Sequence, residues 1–415
     1  MHVVIFEGTR WHTFAPLSLS RPVFMLKSGI GTLLDKQIRH LRPARLSLWV
    51  RPEQEAFVRE RVVPKLTVPT TVNRPLDDEP ALLVSGRTVH FAHYEYPPHP
   101  GVCTDAEGQH VRSAYVHMPG LGQGDVANRT DRWMKILELP HMMPQSRLVE
   151  TLWDLISWNE ESLVEDAMQF GRTAAARDKP AGKYHLVREE EVFLGPDVRL
   201  CPGAVLDASK GPVVVDHHAR IGANAVLEGP CYVGPYAEVR AVSLVRPGTS
   251  IGIMSKVGGE VSNSIVMGYT NKAHDGYLGD SYVGKWVNLG AGTTTSNLKN
   301  TYGEIVMNMG KEKVPTGRRR LGALIGDHTK TAVLTRLMAG TYVGFCSMLA
   351  DPGVPPRFVP SYTFWAGKGP EPYRLDKAIE VTQRVFARRD RGWTETDERI
   401  MRYVAEAAPA VEGSV

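Results

Sequence analysis

The chain has 415 residues, 42% hydrophobic and 23% charged, which is too long for one compact core, so two or more domains are expected. Its 49 Lys+Arg against 45 Asp+Glu leave a formal charge of +4, which excludes the global basic field of a nucleic-acid binder and still allows a local basic patch for a small phosphorylated ligand. Four scattered cysteines, Cys103, Cys201, Cys231 and Cys346, have neither zinc-knuckle spacing nor disulfide-scaffold density, and read as reduced thiols of a cytoplasmic protein.

The N-terminal "MHVVIFEGTRW" has no basic region before an apolar stretch of signal-peptide length, and no run approaches the roughly 18 apolar residues of a membrane span, so no membrane partner is expected. Residues 1–175 alternate apolar strand-like runs ("HVVIFE", "RLSLWV", "ALLVSG") with helical patterns, as an α/β layer does. Within them "HFAHYEYPPHP" offers His90, His93 and His99, without a convincing fourth ligand for zinc. Residues 176–190, in "GRTAAARDKPAGKYHLVREEE", read as a linker.

From Val215 a branched aliphatic recurs every sixth residue: Val215, Ile221, Leu227, Val233, Val239, Val245, Ile251, Val257. At the observed apolar frequency eight such hits arise by chance about once in a thousand. A second track of small residues (Ala219, Ala225, Cys231, Ala237, Ser243, Thr249, Ser255) runs two positions ahead of the aliphatics. Short strands joined by tight turns, three hexads to a triangular coil, describe a parallel β-helix over residues 191–367. The step resumes at Val283 and Leu289 and again from Ile325. Residues 207–214, 258–276 and 296–322 are expected to leave the coil as loops. Residues 368–415 carry two helical patterns, one through Leu375, Ala378, Ile379, Thr382 and Phe386, the other through Ile400, Tyr403 and Val404 with Thr394 as candidate N-cap.

The hexads "RIGANA", "YVGPYA" and "SIGIMS" resemble the left-handed β-helix of the acyltransferase superfamily. Together with "PLSLSRPV", "NKAHDGYLGDSYVGKWVNLGAGTTTSNLKN", "LIGDHTKT" and "PPRFVPSYTFWAG", nearly the whole chain resembles the divergent, sugar-nucleotidyltransferase-like branch of the bifunctional N-acetylglucosamine-1-phosphate uridyltransferase and glucosamine-1-phosphate acetyltransferase family. The resemblance implies an α/β nucleotidyltransferase-like domain, a left-handed parallel β-helix and C-terminal helices. It also implies sugar phosphate, nucleotide and acyl-CoA as ligands, acetyl-CoA and Mg²⁺ with UTP as cofactors, and a homotrimer.

Residue by residue, "HDGYLGD" places His274 and Tyr277 at the spacing of the family's general base and tyrosine. An imidazole near its ordinary pKa suits the proton transfer, because an amine must be deprotonated as it attacks a thioester. The resemblance further implies amino-sugar contacts at Asn288 and Tyr277, a sugar-phosphate or uridyl contact at Arg246, an acetyl-CoA site at Ala291 and Asn297, and CoA phosphates near Arg318, Arg319 and Arg320. Ser262 stands where the acetyltransferases carry a lysine, and Lys256 or Lys272 could supply that charge from another position. In the first domain Gly8, Thr9 and Arg10 keep part of a phosphate loop and Arg21 stands near the expected lysine. Arg87 follows Gly86 where the family has its magnesium-binding aspartate, so another carboxylate, such as Asp154 or Asp166, would have to hold the metal. Two other readings stay open: an acyltransferase whose first domain only binds nucleotide-sugar, and a non-catalytic trimeric scaffold.

Overall fold

A computed structural model describes residues 1–174, 180–310, 312–367 and 369–413, with the side chains of 172–174 outside that description. Residue 175, part of the expected linker (176–179) and residue 368 thus lie outside the described residues.

The first domain is built on a six-stranded sheet in the order Thr70–Val72, Arg45–Trp49, His2–Phe6, Ala81–Ser85, Val111–Val116, Gly101–Thr104. The first four strands run parallel and the last two close the sheet in antiparallel fashion. Parallel strands covered on both faces need near-continuous apolar runs, and Val3, Val4 and Ile5 are fully buried accordingly. Helix Leu33–Leu41, opened by a capping box between Thr32 and Asp35, leads from the first strand to the next one in the chain. The sheet grows in opposite directions from His2–Phe6, which puts a topological switch point beyond the carboxyl ends of that strand and of Ala81–Ser85. Open α/β sheets bind their ligands at such a point.

The second domain is a β-solenoid of about 10 turns, left-handed β-helix-like. Its strands form three parallel sheets, one per side of the triangle, and Val213 pairs with Cys231 and Cys231 with Thr249, so a coil is three hexads. Both tracks read from the sequence face inward: Val215, Ile221, Leu227, Val233 and Val239 are fully buried, and so are Ala219, Ala225 and Ser255. The coil starts at His185–Val187, paired with Val205–Asp207, within the stretch read as a linker.

Of the three expected excursions, 296–322 does leave the coil, as an antiparallel hairpin of Val306–Met309 and Glu312–Pro315. Residues 207–214 make a short detour between Val205–Asp207 and Val213–Val215. Residues 258–276 do not leave it. Glu260–Ser262, Ile265–Val266 and Asn271–Lys272 are coil strands in register with Leu244–Val245, Ser250–Ile251 and Lys256–Val257. The six-residue step fails there because the corners are shortened and because Lys272 takes an inward position, paired with Val257, where the pattern expects an aliphatic.

Equivalent corner residues stack from coil to coil, since the strand repeat sets one side chain above the next. Tyr236, Tyr269, Trp286 and His328 all adopt positive φ at one corner, and Tyr269 stacks on Trp286 with ring centroids 4.2 Å apart.

Helices Leu375–Ala387 and Glu395–Glu412 follow, the second capped by Thr394 as expected. The three parts share one hydrophobic core in which Phe14 and Leu17, Tyr282 and Leu324, and Met401 and Val404 belong to a single cluster. Polar contacts fix the docking: Asn159 Nδ2 donates to the Gly248 carbonyl at 2.7 Å, and the Lys27 amide donates to the Tyr282 hydroxyl at 2.7 Å. All four cysteines are free, and no described helix is long and apolar enough to cross a membrane.

Candidate functional site

The turn at 273–276 joins Asn271–Lys272 to Tyr277–Gly279 at a corner of the coil, and it leaves the His274 side chain exposed. The turn is held from inside. Lys272, 2% exposed, directs its ammonium to the carbonyls of Gly258 at 2.7 Å and His274 at 2.6 Å. Burial pushes the Lys272 pKa down to about 8, with Asp275 pulling the other way. Gly276 completes the corner at φ +113°, where a Cβ would come within 2.2 Å of the Thr293 carbonyl oxygen. Beside this turn opens a cavity of about 740 Å³ lined by His274, Asp275, Ala291, Gly292, Arg240 and Leu334. His274 and Ala291 are therefore brought together. Arg240 escaped the sequence reading because one arginine in a hexad turn carries no signal of its own.

Tyr277 and Asn297 form a second group at the far end of the same short strand. Asn297 Nδ2 donates to the Tyr277 hydroxyl at 3.0 Å and to Asp280 Oδ2 at 2.5 Å, while Asn263 Nδ2 donates to Asp280 Oδ1 at 2.6 Å. Burial first, then the nearby Asp280, raises the Tyr277 pKa, so the phenol stays a neutral hydrogen-bonding group. Arg318, Arg319, Arg320, Asp280 and Asn263 line an adjoining cavity of about 380 Å³. Arg246 shares this face, paired with Glu260 at 2.6 Å, and Glu260 stands in register with Tyr277. Ser262 is within hydrogen-bonding reach of Tyr277. Asn288 is not part of the group: it is exposed on the neighbouring face, bridged to Asn271 and Lys330. Lys256 reaches Glu238 at 3.5 Å and is not among the residues that line the His274 cavity.

In the first domain Gly8, Thr9, Arg10 and Arg87 meet at the switch point, together with His110 and Arg129, around a space of only about 20 Å³. Glu150 ties the loop shut, accepting from Arg87 at 3.0 Å and Arg10 at 3.3 Å. The donor set does not fit a magnesium ion, because three guanidiniums line the pocket and Glu150 is already shared between two of them. The other carboxylates are equally engaged. Asp154 is the N3 residue of a capping box and pairs with Arg318 at 3.3 Å. Asp166 is buried on Lys36 at 2.7 Å and Arg39 at 2.5 Å; burial opposes its ionisation, but these two cations hold its pKa below the ordinary value.

Arg21 is not at this loop. It is 4% exposed and forms an ion pair with Asp327 of the coil. The three histidines also disperse: burial pushes His90 down to about 3, His93 Nδ1 contacts the His40 carbonyl at 2.8 Å, and His99 is exposed.

With this geometry in view, the chain can be set beside known proteins. Residues 3–173 match the family described as sugar nucleotidyl transferase. The match spans the N-terminal domain and ends before the coil. The bifunctional sugar-1-phosphate nucleotidylyltransferase/acetyltransferase of Sulfurisphaera tokodaii is 35% identical over 137 residues, which is 32% of this chain and 34% of that protein. The bifunctional protein GlmU of Methanococcus vannielii is 35% identical over 118 residues, 28% of this chain and 27% of that protein. The chain thus spans about a third of the length of the curated relatives it matches. A solved structure, the UDP-N-acetylglucosamine acyltransferase from Campylobacter jejuni, overlaps 54% of this chain and 96% of its own at 13% identity and a TM-score of 0.30, too low to carry an argument.

Proposed function

We propose that the protein is a sugar-1-phosphate nucleotidyltransferase and acetyltransferase of UDP-amino-sugar biosynthesis, with acetyl transfer at the coil corner and nucleotide handling at the switch point. The observation that carries the reading is His274, exposed on a turn pinned by Lys272, in one cavity with Ala291. In this proposal the amino group of a hexosamine phosphate attacks the acetyl-CoA carbonyl, the N–C bond forms, the C–S bond breaks, and His274 takes the proton from the amine and passes it to the departing CoA thiolate. The small side chains Ala273 and Ala291 leave room for the acyl group, and Arg319 and Arg320, exposed and in no ion pair among the described residues, suit the phosphates of CoA. Tyr277 and Arg246 would orient the sugar phosphate from the adjoining face, and Asn297, hydrogen-bonded to Tyr277, would meet the acetyl-CoA there. Asn288 stands aside from them, bridged to Asn271 on the strand that leads into the His274 turn, and the protein is proposed to be a homotrimer whose sites lie between coils.

UTP is the proposed nucleotide, with Arg10 as its phosphate contact, and no step is assigned to magnesium. The closed loop around Arg87 and Glu150 favours a second reading, in which the first domain binds nucleotide-sugar without transferring a nucleotidyl group. Both readings are tested on the full-length protein by following acetyl-CoA consumption with glucosamine-1-phosphate and pyrophosphate release from UTP in separate assays. Acetyl transfer without pyrophosphate release selects the second reading. Absence of both, in a protein that light scattering shows to be trimeric, selects a scaffold.

A further inference from the structure

A dense concentration of charge lies apart from both sites, where the first domain, the coil and the C-terminal helices meet. A cavity of about 250 Å³ is lined there by Arg21, Arg61 and Lys65 from the first, Lys285 and Asp327 from the second, and Arg391 and Asp397 from the third. Three segments singled out in the sequence converge on it: "PLSLSRPV" supplies Arg21, "YVGKWVNLG" supplies Lys285 and "LIGDHTKT" supplies Asp327.

The charges do not balance. Five cationic side chains face two carboxylates, and both carboxylates are fully engaged. Asp327 accepts from Arg21 and Ser20 through Oδ2 and from the Lys285 amide through Oδ1 at 2.7 Å. Asp397 is shared by Arg61 at 2.9 Å and Arg391 at 3.2 Å. Among the described residues the Lys285 ammonium has no acceptor of its own, and Arg21 Nε and His328 Nδ1 are buried without a partner. Burial, and after it the cations Arg21, Lys65 and Arg391 against the pull of Asp327, press the Lys285 pKa down to about 7. Of the five only Arg21 is withdrawn from water; Lys285, Arg61 and Arg391 are half-buried and Lys65 is exposed at the rim, so a surplus of positive charge lines a cavity that an anion can enter. The aromatic wall packs on itself, with Trp286 against Tyr269 at 4.2 Å and Phe386 at 4.4 Å, so cations rather than free ring faces are presented to a ligand.

We propose that this cavity binds a compact phosphoryl anion, a phosphate monoester head group or a diphosphate, held by Lys285, Lys65 and Arg391. Its volume is just under the roughly 300–1,000 Å³ of small-molecule sites, which suits a head group better than a whole nucleotide-sugar. Ammonium and guanidinium groups are the usual partners of phosphate oxygens. Because its walls come from all three parts of the chain, the anion clamps their docking, and binding stabilises the folded protein by mass action. The site does not depend on either transfer reaction.

The test is calorimetric titration of the full-length protein with inorganic phosphate and inorganic pyrophosphate, with melting followed in parallel. Saturable binding and a raised Tm are expected, with the tighter of the two anions telling a monophosphate from a diphosphate site. Lys285→Gln should weaken binding by about tenfold or more, the worth of one charge-assisted hydrogen bond, and Lys65→Ala, at the exposed rim, by less. Lys377→Gln, on the exposed face of helix Leu375–Ala387, should bind as the wild type does, and Arg10→Ala reports separately on the switch point. If Lys285→Gln fails to fold, the rim variant Lys65→Ala decides. No binding by the wild type, unchanged binding in the folded lysine variants, or loss confined to Arg10→Ala would each overturn the proposal, the last by moving the anion to the switch point.

Discussion

The corner of the coil around His274 and the switch point of the N-terminal sheet both carry family motifs, and they use their charged groups in opposite ways. At the coil corner the charge that is buried, Lys272, serves the backbone, while His274 stays exposed beside an open cavity. At the switch point Arg10 and Arg87 are engaged by Glu150, while Arg21 lies away from that loop and pairs with Asp327 of the coil. A motif of the same resemblance thus stands beside an open cavity in one domain and is engaged in ion pairs in the other. Removing a side chain at the first place should be felt in turnover, and at the second in stability.

The largest effect is expected at His274. His274→Ala should lower acetyl transfer to an amino-sugar phosphate by about 10² to 10⁴, the usual worth of a general base, while urea unfolding stays as in the wild type. Turnover of wild type and mutant across pH 6 to 9 is the measurement, and equal rates with equal pH profiles would make the histidine structural.

Arg21→Ala is the mirror image. It removes the direct ion-pair partner of the buried Asp327, and breaking such a pair costs up to about 3–5 kcal/mol, less what the neighbouring Lys285 recovers. Arg10→Ala, in a pair about one-third exposed, should change stability by no more than about 1 kcal/mol. Chemical denaturation of the two variants side by side checks the contrast; similar losses would mean that the switch-point loop, too, is held by its ion pairs.

How far these differences were legible depends on how local their causes are. The coil could be read residue by residue, because each inward aliphatic from Val215 to Val257 answers to the same stacked neighbour one coil away. The same rule misled at 258–276, where Lys272 replaces an aliphatic and the corners shorten, so a continuous stretch of coil looked like a loop. The partner of Arg21 is a residue of a distant coil, and no local pattern points from one to the other. Asn297 and Tyr277 stood in one motif and do touch, whereas Asn288, from the same motif, ends on another face because the strand turns a corner between them.

Lys272 lies between the two regimes, since it is buried and yet holds the turn that presents His274. Lys272→Met keeps the approximate volume of the side chain and removes the ammonium from the carbonyls of Gly258 and His274. Each freed carbonyl loses about 1–3 kcal/mol of satisfaction if it stays buried, so the turn should loosen. We expect kcat to fall by about tenfold with KM for acetyl-CoA unchanged, a smaller loss than at His274 itself. A turnover equal to that of wild type would show that the corner holds its shape without the lysine.

The smallest effect, and the one that isolates the burial of this lysine, is its pH linkage. The ordinary lysine value, 10.5, applies to the unfolded chain, and in the fold burial lowers it to about 8. Between about pH 8 and 10.5 the unfolded chain thus binds more protons than the folded one, and stability rises with pH across that window; below pH 8 both states carry the proton and the folded one bears the full burden of its burial. Lys27, also pushed down to about 8, and Lys285, down to about 7, titrate with the same sign, so the absolute curve cannot be assigned to one residue. The difference between wild type and Lys272→Met removes them. That difference should move in favour of the wild type as pH goes from 8 to 9.5, measured by urea unfolding at each pH. A flat difference would mean that the two carbonyl hydrogen bonds fully offset burial, and that Lys272 stays charged throughout as a fixed strut beneath His274.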